Sequence, residues 1–298
     1  MAKKIVIFGG AGLVGSGFID LNKDVFEIVS PTIEELDILE KQAVSKFIED
    51  SGCSSVINFA AFTNVEAAEA QKEDKNGMCY RINAIGAKNV AEVCKNFNKY
   101  LIHISTEYVF DGTKADSPYN EEDKQNPVNW YGQTKYFAEQ LVLESGSLLT
   151  LVRICMPFSP FYEPKKDVAR FFLEQLRSGE EIVAIEDQKI TPTIVSDIAN
   201  ALKVLVEAEK TGIYHVCSTN FTTPFEFAKM IAAKFGLDMN LVKPISFADY
   251  NKNKQAKLLK NSWLDPAKFV MQFGGNILHS VREDIEIFKQ AVDGRSIN

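Results

Sequence analysis

Tyr131 and Lys135 lie four residues apart at the start of a segment with apolar residues at helical spacing. Side chains at this separation project from one face of a helix, so the phenol and the ammonium can serve one site. A nearby ammonium favours the phenolate, and we therefore expect Lys135 to lower the pKa of Tyr131. The pair predicts a tyrosine that donates a proton near neutral pH.

The same spacing occurs twice more, at Tyr162 with Lys166 and at Tyr250 with Lys254. Pro164 interrupts the first pair, and the second lies in the lysine-rich segment 243–260. Neither begins an amphipathic helix, so we expect neither pair to be catalytic.

Ser105 and Thr106 end an apolar run, at the edge where parallel α/β sheets bind ligands. A hydroxyl there can donate a hydrogen bond to a carbonyl oxygen and stabilise the charge that develops during its reduction. The alternative is a cap for the following turn. Together with Tyr131 and Lys135, one such hydroxyl, that of Thr106, predicts a catalytic triad.

Three glycines, Gly9, Gly12 and Gly15, follow the first apolar run and precede a helical pattern. Glycines at such a turn allow backbone N–H groups to approach a pyrophosphate, and the helix N-terminus adds partial positive charge. The spacing therefore predicts dinucleotide binding, although a tight turn alone would need the same residues. Residues 30–32 are Ser-Pro-Thr, so they offer neither the acid that favours NAD nor the base that favours NADP, and the preference stays open.

These residues must be positioned by an alternation of strands and helices. Apolar runs at 4–8, 25–30, 55–60, 100–105 and 148–154 alternate with segments of helical periodicity. Near-continuous apolar strands in such an alternation indicate a parallel sheet covered on both faces. We predict an α/β protein with a Rossmann-type doubly wound parallel sheet and a smaller C-terminal α/β substrate-binding domain.

The second half of the chain is less regular. Prolines make 156–166 a loop, and we predict helices at 168–178, 196–210 and 224–235 with strands at 181–185 and 212–217. The lysine-rich segment 243–260 has a solvated surface loop as its simplest interpretation. The predicted cofactor-binding domain spans 1–156 with about 187–210, and the predicted substrate-binding domain spans 157–186 and 211–298.

Composition excludes several classes of protein. The chain of 298 residues is 46% hydrophobic and carries a net charge of −7, which favours a globular protein and argues against a nucleic-acid partner. It contains no stretch of the roughly 18 apolar residues that a membrane helix needs, and its N-terminal apolar run is too short for a signal peptide. We expect a cytoplasmic protein with no membrane partner.

Cysteine and histidine usage favours neither disulfides nor metal binding. The five cysteines show no C-x-x-C pair and lie mostly within apolar runs, so we expect buried thiols in a reducing compartment. His103, His215 and His279 have no second ligand three or four residues away, and we predict no metal site.

The motif set resembles the extended short-chain dehydrogenase/reductase superfamily, and within it the dTDP-4-dehydrorhamnose reductase family. The resemblance spans nearly the whole chain, and its Ser-Thr-acid-Tyr-Val-Phe-Asp-Gly block is far more specific than the spacing of Tyr131 and Lys135. The segments that carry it are 5–15, 35–38, 56–66, 81–84, 105–112, 127–132, Lys135, 187–193 and 213–216.

The resemblance implies a site. Thr106 and Glu107 would contact the sugar, Met156 would lie on the substrate side, and Tyr131 and Lys135 would lie at the nicotinamide ribose. The remaining cofactor contacts would come from Gly9, Gly12, Leu13, Val14, Asp37, Ile38, Ala60, Ala61, Phe62 and Thr63.

The reaction implied is reduction of the 4-keto group of a nucleoside-diphosphate 4-keto-6-deoxy sugar with NADPH or NADH. Tyr131 would protonate the oxyanion and Thr106 would polarise the carbonyl. A homodimer is one assembly that the family implies. Some members are bridged by Mg²⁺, but this sequence shows no acid cluster that requires a metal.

Three departures from the family pattern bear on the substrate. Glu107 replaces an Asp, Met156 replaces a Trp, and Leu258 with Leu259 replace an Arg-Pro pair. If that Arg helps to bind the diphosphate, then Lys257 or Lys260 must substitute, or the substrate differs. Two alternatives stay open: a nucleotide-sugar epimerase or dehydratase, and a non-catalytic NADP-binding subunit similar to the regulatory β subunit of methionine adenosyltransferase.

Overall fold

The structure, a computed structural model, describes residues 2–162 and 164–295. Strands and helices alternate through the first half of the chain. The strands are β1 (Lys4–Phe8), β2 (Glu27–Val29), β3 (Ser55–Asn58), β4 (Tyr100–Thr106), β5 (Leu148–Ile154), β6 (Pro157–Phe158), β7 (Ile182–Ile185), β8 (Thr193–Ile194), β9 (Gly212–His215) and β10 (Val242–Ile245).

The helices differ widely in length, and one of them continues as a π-helix over Arg81–Gly86. The α-helices are α1 (Leu13–Asn22), α2 (Lys41–Ser51), α3 (Val65–Glu69), α4 (Met78–Tyr80), α5 (Ala87–Asn96), α6 (Trp130–Glu144), α7 (Val168–Arg177), α8 (Val195–Ala208), α9 (Pro224–Phe235), α10 (Phe247–Lys252), α11 (Ala267–Phe273) and α12 (Val281–Arg295).

The main sheet has six parallel strands in the order β2–β1–β3–β4–β5–β9. The chain moves from β1 outward to β2 and then returns to β3 on the other side of β1. In such sheets the ligand crevice lies outside the carboxyl ends of the strands, where the winding direction reverses. The topology confirms the predicted Rossmann-type fold and places that crevice beyond β1 and β3.

Both faces of the main sheet are covered by apolar cores, which explains why its strands are apolar throughout. On one face Phe18 of α1 packs with Ile198 and Leu202 of α8. On the other, Val90 of α5 and Ala138 of α6 pack against the sheet. Helix α6, which carries Tyr131 and Lys135, is therefore fixed against β4.

The second half of the chain forms a third core beside two small sheets, β6 with β8 and β7 with β10. Phe158, Phe172, Phe227 and Phe288 are buried there, contributed by β6 and by helices α7, α9 and α12. Helix α9 begins with a Thr223 hydroxyl that accepts the Glu226 N–H at 3.1 Å, followed by a proline in the first turn.

Two segments predicted as loops contain regular structure. Strand β6 lies within the predicted loop 156–166, of which residue 163 lies outside the described residues. Strand β10 and helix α10 occupy much of 243–260, where β10 pairs in parallel with β7 and the Ser246 hydroxyl caps α10. Pairing with a distant strand is not visible in local composition.

The predicted domain division differs from the structure at one strand. Gly212–His215 was expected in the substrate-binding domain, yet β9 pairs with β5 over Thr150–Arg153 and completes the main sheet. Phe269 of α11 is also buried in the core of that sheet. The rest of the division stays a prediction, and its residues 296–298 lie outside the described ones.

Among the residues that the structure describes, no helix is long and apolar enough to cross a bilayer.

Candidate active site

The glycine turn between β1 and α1 leaves no room for side chains. Gly9 has a φ of +76°, and a Cβ there would lie 2.5 Å from the backbone nitrogen of Ala60. A Cβ on Gly15 would lie 2.5 Å from the carbonyl oxygen of Gly9. The N-terminus of α1 at Gly12 has no side-chain cap, so its N–H groups are free to bind an anion. The turn therefore fits the pyrophosphate of a dinucleotide.

A cleft of about 780 Å³ opens from this turn along the carboxyl ends of the strands. Its volume is within the range of cofactor and small-ligand sites. The predicted site residues that line it are Gly9, Gly12, Leu13, Val14, Asp37, Ile38, Ala60, Ala61, Thr63, Thr106, Glu107, Tyr131, Lys135 and Met156.

Phe62 is the predicted contact that does not line the cleft. Its ring packs with Trp130 and Tyr131 in a separate apolar cluster. Asn83 holds its backbone, accepting the Phe62 N–H at 2.7 Å and donating to the Phe62 carbonyl at 3.2 Å. The cofactor contact expected of Phe62 therefore stays a prediction, and its backbone is held by Asn83.

Asn83 lies in the family-like segment 81–84, and the sequence predicted no role for it. It lies in the π-helix, is 1% exposed, and also donates to the Thr134 hydroxyl at 2.9 Å. Thr134 immediately precedes Lys135, so Asn83 joins the segment after β3 to helix α6. A π-turn in a helix often marks a functional site, but its position is not encoded in apolar periodicity.

Tyr131 and Lys135 lie in the first turns of α6, which begins where the Asn129 side chain accepts the Gly132 N–H at 2.8 Å. Both are buried, at 9% and 3% exposed. The Lys135 ammonium donates to the carbonyl oxygen of Ile104 at 2.7 Å. The fold therefore brings both side chains into the cleft, at the end of β4.

The predicted effect of Lys135 on Tyr131 is wrong for this structure. Burial, and then the Glu107 carboxylate, raise the pKa of Tyr131 above its usual value. Burial lowers the pKa of Lys135 to about 8, against the opposing charge of Glu139. Desolvation penalises the charged forms of both groups, because both side chains are almost entirely buried.

Thr106 and Glu107 form a polar pair beside Tyr131. The Thr106 hydroxyl donates to the Glu107 carboxylate at 2.6 Å and also hydrogen-bonds the Tyr131 hydroxyl. Glu107 is 4% exposed, and burial raises its pKa to about 7. The site thus holds a carboxyl group that changes charge near neutral pH.

Ser105 also lines the cleft, but its hydroxyl is engaged by another side chain. It donates to the carboxylate of Glu139 at 2.5 Å, and that carboxylate also accepts two hydrogen bonds from Arg153, at 3.0 and 2.8 Å. His215 accepts a third bond from Arg153 at 3.2 Å, and burial keeps the pKa of that imidazole well below its usual value. This fully buried network joins α6 to β4, β5 and β9.

Met156 and Leu259, two residues that differ from the family pattern, lie in different surroundings. Met156 lines the cleft with a φ of +40°, which is uncommon for a residue with a side chain. Leu259 is 1% exposed in a core with Phe110 and Cys155. The leucine is therefore a packing residue and leaves no charged group at this position.

Neither lysine beside Leu259 faces the cleft. Lys257 donates to the carbonyl oxygens of Asn251 and Lys252, at 3.2 and 3.3 Å. Lys260 pairs with Asp187 at 3.1 Å. The expectation that one of them replaces an arginine at a diphosphate has no support from these contacts.

The other two tyrosine–lysine pairs lie in different surroundings. The Tyr162 hydroxyl donates to the carbonyl oxygen of Ala11 at 3.1 Å, so this side chain closes over the glycine turn. Tyr250 lies in α10 at the surface, with the Lys254 ammonium 5.2 Å from its ring centre. Neither pair heads a helix in the cleft.

The fold brings Asp197, His279 and Asp284 together, with potential ligand atoms within 4.8 Å of one another. Sequence spacing did not reveal this group. His279 Nδ1 lies 2.9 Å from Asp197, and Asp284 accepts from the Ser218 hydroxyl at 2.9 Å. None of the three lines the cleft. Their mutual contacts describe a buried acid pair, and we assign no metal to it.

All five cysteines are buried and unpaired, as the sequence predicted.

Comparison with known proteins identifies the family. The model of the family described as "RmlD substrate binding domain" matches residues 3–292. The dTDP-4-dehydrorhamnose reductase of Mycolicibacterium smegmatis is 32% identical over 249 residues, covering 82% of this chain and 73% of that protein. The enzyme of that name from Aggregatibacter actinomycetemcomitans is 30% identical, covering 91% and 93%.

A solved structure extends the likeness to the whole fold. The dTDP-4-dehydrorhamnose reductase of Bacillus anthracis, crystallised in complex with NADP, superposes with a TM-score of 0.89 at 29% identity, covering 98% of this chain and 100% of that one. These matches confirm the family inferred from the motifs. The chain belongs to the dTDP-4-dehydrorhamnose reductase family.

Proposed function

We propose that this protein reduces the 4-keto group of a nucleoside-diphosphate 4-keto-6-deoxy sugar with NADPH or NADH. One observation carries the proposal: the hydroxyls of Tyr131 and Thr106 line the same cleft as the glycine turn. A proton donor and a carbonyl-polarising group therefore lie beside a site shaped for a dinucleotide. The relatives named as reductases, one of them crystallised with NADP, support the same activity.

The residues at the glycine turn would hold the cofactor. The free N–H groups at the start of α1 face the position of a pyrophosphate, and Gly9 and Gly15 allow the close approach. Asp37 and Ile38 would lie at the adenine, and Ala60, Ala61 and Thr63 along the cofactor's course. When bound, a reduced nicotinamide supplies the hydride that is transferred to the sugar's C4.

Tyr131 would give its proton to the sugar oxygen as the carbonyl is reduced. Its raised pKa means that the phenol holds this proton until a strong base, the developing alkoxide, is next to it. When Glu107 is protonated, its carboxyl group can donate to the Thr106 hydroxyl. The Thr106 proton would then be free to be donated to the same sugar oxygen and offset its charge. Lys135, fixed on the carbonyl oxygen of Ile104, would hold a cofactor ribose hydroxyl beside Tyr131.

The test is a reaction with purified protein, dTDP-4-dehydrorhamnose and each reduced nicotinamide, followed by absorbance and by product analysis. The proposal predicts one reduced cofactor consumed per sugar reduced at C4. Turnover without net consumption would identify an epimerase or dehydratase instead. Cofactor binding with no turnover of any nucleotide sugar, together with co-purification of a synthetase, would identify the partner subunit.

We extend the proposal to the assembly and the cellular location. The protein would act as a cytoplasmic homodimer, with no nucleic-acid partner. Light scattering of the purified protein tests the dimer, since it gives the mass in solution directly. A monomeric mass at working concentration would contradict that part alone.

A further inference from the structure

The end of the cleft beyond β2 is lined by the segment that determines the preference for NAD or NADP in folds of this type. In a Rossmann sheet, the segment after the second strand lies at the adenosine ribose, where NADP carries a phosphate and NAD a hydroxyl. This segment contributes Pro31, Thr32, Ile33, Glu34, Leu36 and Asp37 to the cleft.

The polar groups at the start of this segment are already engaged. The Ser30 hydroxyl donates to the carbonyl oxygen of Ile7 at 3.1 Å. The Glu35 carboxylate accepts the N–H of Thr32 at 2.8 Å, and the Glu35 N–H donates to the Thr32 hydroxyl at 3.4 Å. The Thr32 N–H is therefore bound by a carboxylate of the chain itself and is not available to a phosphate.

The charges nearby are negative. Glu34 and Asp37 both line the cleft, and Ile33 between them and β2 is 67% exposed. From residue 24 to residue 40 the chain has no lysine or arginine. The next lysine, Lys41, is paired with Glu92 at 2.6 Å.

The cations that do line the cleft lie on other elements. Lys135 is buried beside Tyr131 and bonded to Ile104. Lys165 and Lys166 precede α7, and Lys166 is paired with Glu174. Within the described residues, the segment after β2 presents carboxylates and an apolar side chain but no positive charge.

We propose that this protein binds NADH in preference to NADPH, and that Glu34 is the specificity-determining residue. The 2′-phosphate of NADPH carries nearly two negative charges at neutral pH and would lie beside Glu34, with no cation on residues 24–40 to compensate. The 2′-hydroxyl of NADH can instead donate a hydrogen bond to a carboxylate there. The inference rests on the proposed function only in requiring a nicotinamide cofactor in this cleft.

The experiment measures dissociation constants of NADH and NADPH by calorimetry on the full chain, without sugar. We expect NADH to bind about tenfold more tightly or better at low salt. The difference should narrow as salt is added, because the repulsion is screened. NADPH binding as tight as NADH binding would overturn the inference.

Three variants make the test specific. Glu34→Gln should narrow the difference between the dissociation constants of NADH and NADPH by strengthening NADPH binding. Ile33→Arg should reverse that preference, because its guanidinium can pair with the 2′-phosphate. Glu40→Gln is the matched control, because Glu40 is exposed, close in sequence and outside the cleft. If Glu40→Gln narrows the difference as much as Glu34→Gln, long-range charge is responsible and Glu34 is not the determinant.

The outcomes also separate this inference from the proposed function. Tight NADH binding without reduction of any nucleotide sugar would leave the inference standing and remove the reductase. Reduction of a nucleotide sugar by a protein that binds NADPH as tightly as NADH would support the reductase and overturn the inference about cofactor preference. Failure to bind either cofactor would remove both.

Discussion

The ammonium of Lys135 donates a hydrogen bond to the carbonyl oxygen of Ile104, 2.7 Å away. Ile104 lies in β4, immediately before Ser105 and Thr106. This contact fixes the distance between helix α6 and the end of β4. The proposed proton donor on the helix and the proposed carbonyl-polarising hydroxyl after the strand are thereby held in one geometry. The amine that makes this contact is only 3% exposed.

Lys135 should make cofactor affinity depend on pH. Burial lowers its pKa to about 8, so the ammonium is present below that pH and is lost as pH rises through it. We expect NADH binding to weaken above pH 8 in the unmodified protein. Lys135→Met should bind weakly at every pH, without that transition. Calorimetry across the pH range checks this, and an unchanged transition in Lys135→Met would assign it to another group.

Tyr131→Phe should leave cofactor binding nearly intact and reduce turnover on the order of 10²-fold or more, the usual scale for loss of a general acid. The phenol lies at the first turn of α6 in packed surroundings, and a phenylalanine preserves its edge contact with Tyr108. Steady-state rates together with a cofactor dissociation constant separate the two effects. Turnover within a few-fold of the unmodified protein would exclude Tyr131 as the proton donor.

Glu107 should set the pH dependence of turnover near neutrality. Burial raises its pKa to about 7, so it is neutral below and ionised above. The ionised form raises the pKa of Tyr131 further and makes the phenol a weaker acid. We therefore expect turnover to fall as pH rises through 7, and Glu107→Gln to lack this decrease.

Glu107→Asp serves as the control for the pH experiment, since it keeps an acid of the same charge. It should retain a pH transition, although a carboxylate one methylene shorter reaches Thr106 less well. A transition that persists unchanged in Glu107→Gln would contradict the assignment. Rates are compared with cofactor and sugar both saturating, so that binding does not enter.

How much of this site could be predicted depended on how local each signal was. Gly9, Tyr131 and Lys135 act through turns and helix faces that span a few residues, and the sequence predicted all three in the cleft. The backbone of Phe62, by contrast, is held by Asn83, twenty-one residues on. No local pattern contains that contact.

The charge environment was the part that sequence could not supply. Spacing alone suggested that Lys135 would acidify Tyr131, but burial determines both pKa shifts, and burial depends on the whole packed fold. The Ser105 hydroxyl faces Glu139 for a similar reason, since Arg153 comes from a different strand. The strand Gly212–His215 joined the main sheet through pairing with residues some sixty positions earlier.

Removing one charge of the buried pair Glu139 and Arg153 should lower the free energy of unfolding more than replacing both residues by apolar ones. Glu139→Gln leaves a guanidinium buried at 1% exposure with a weakened partner, and loss of one charge from such a pair destabilises by about 3–5 kcal/mol. The double variant Glu139→Leu with Arg153→Met removes both charges together. We expect it to be nearer the unmodified protein in urea unfolding than Glu139→Gln. A double variant less stable than the single one would show that the pair itself stabilises the fold.

Asp284 should make the folded protein less stable as pH rises from about 4 toward 8. Burial and the neighbouring Asp197 raise the pKa of Asp284 to about 8, whereas an aspartate in the unfolded chain has a pKa of about 3.9. Between these values the folded state keeps a proton that the unfolded state releases, so raising the pH favours unfolding. Asp284→Asn keeps an oxygen for the Ile194 N–H and cannot ionise. The stability of this variant should therefore fall less over this pH interval, as measured by urea unfolding at several pH values.

Asp24→Asn, at an exposed carboxylate, is the matched control and should follow the unmodified protein. Parallel curves for Asp284→Asn and the unmodified protein would mean that Asp284 is already ionised in the folded state and would contradict the prediction.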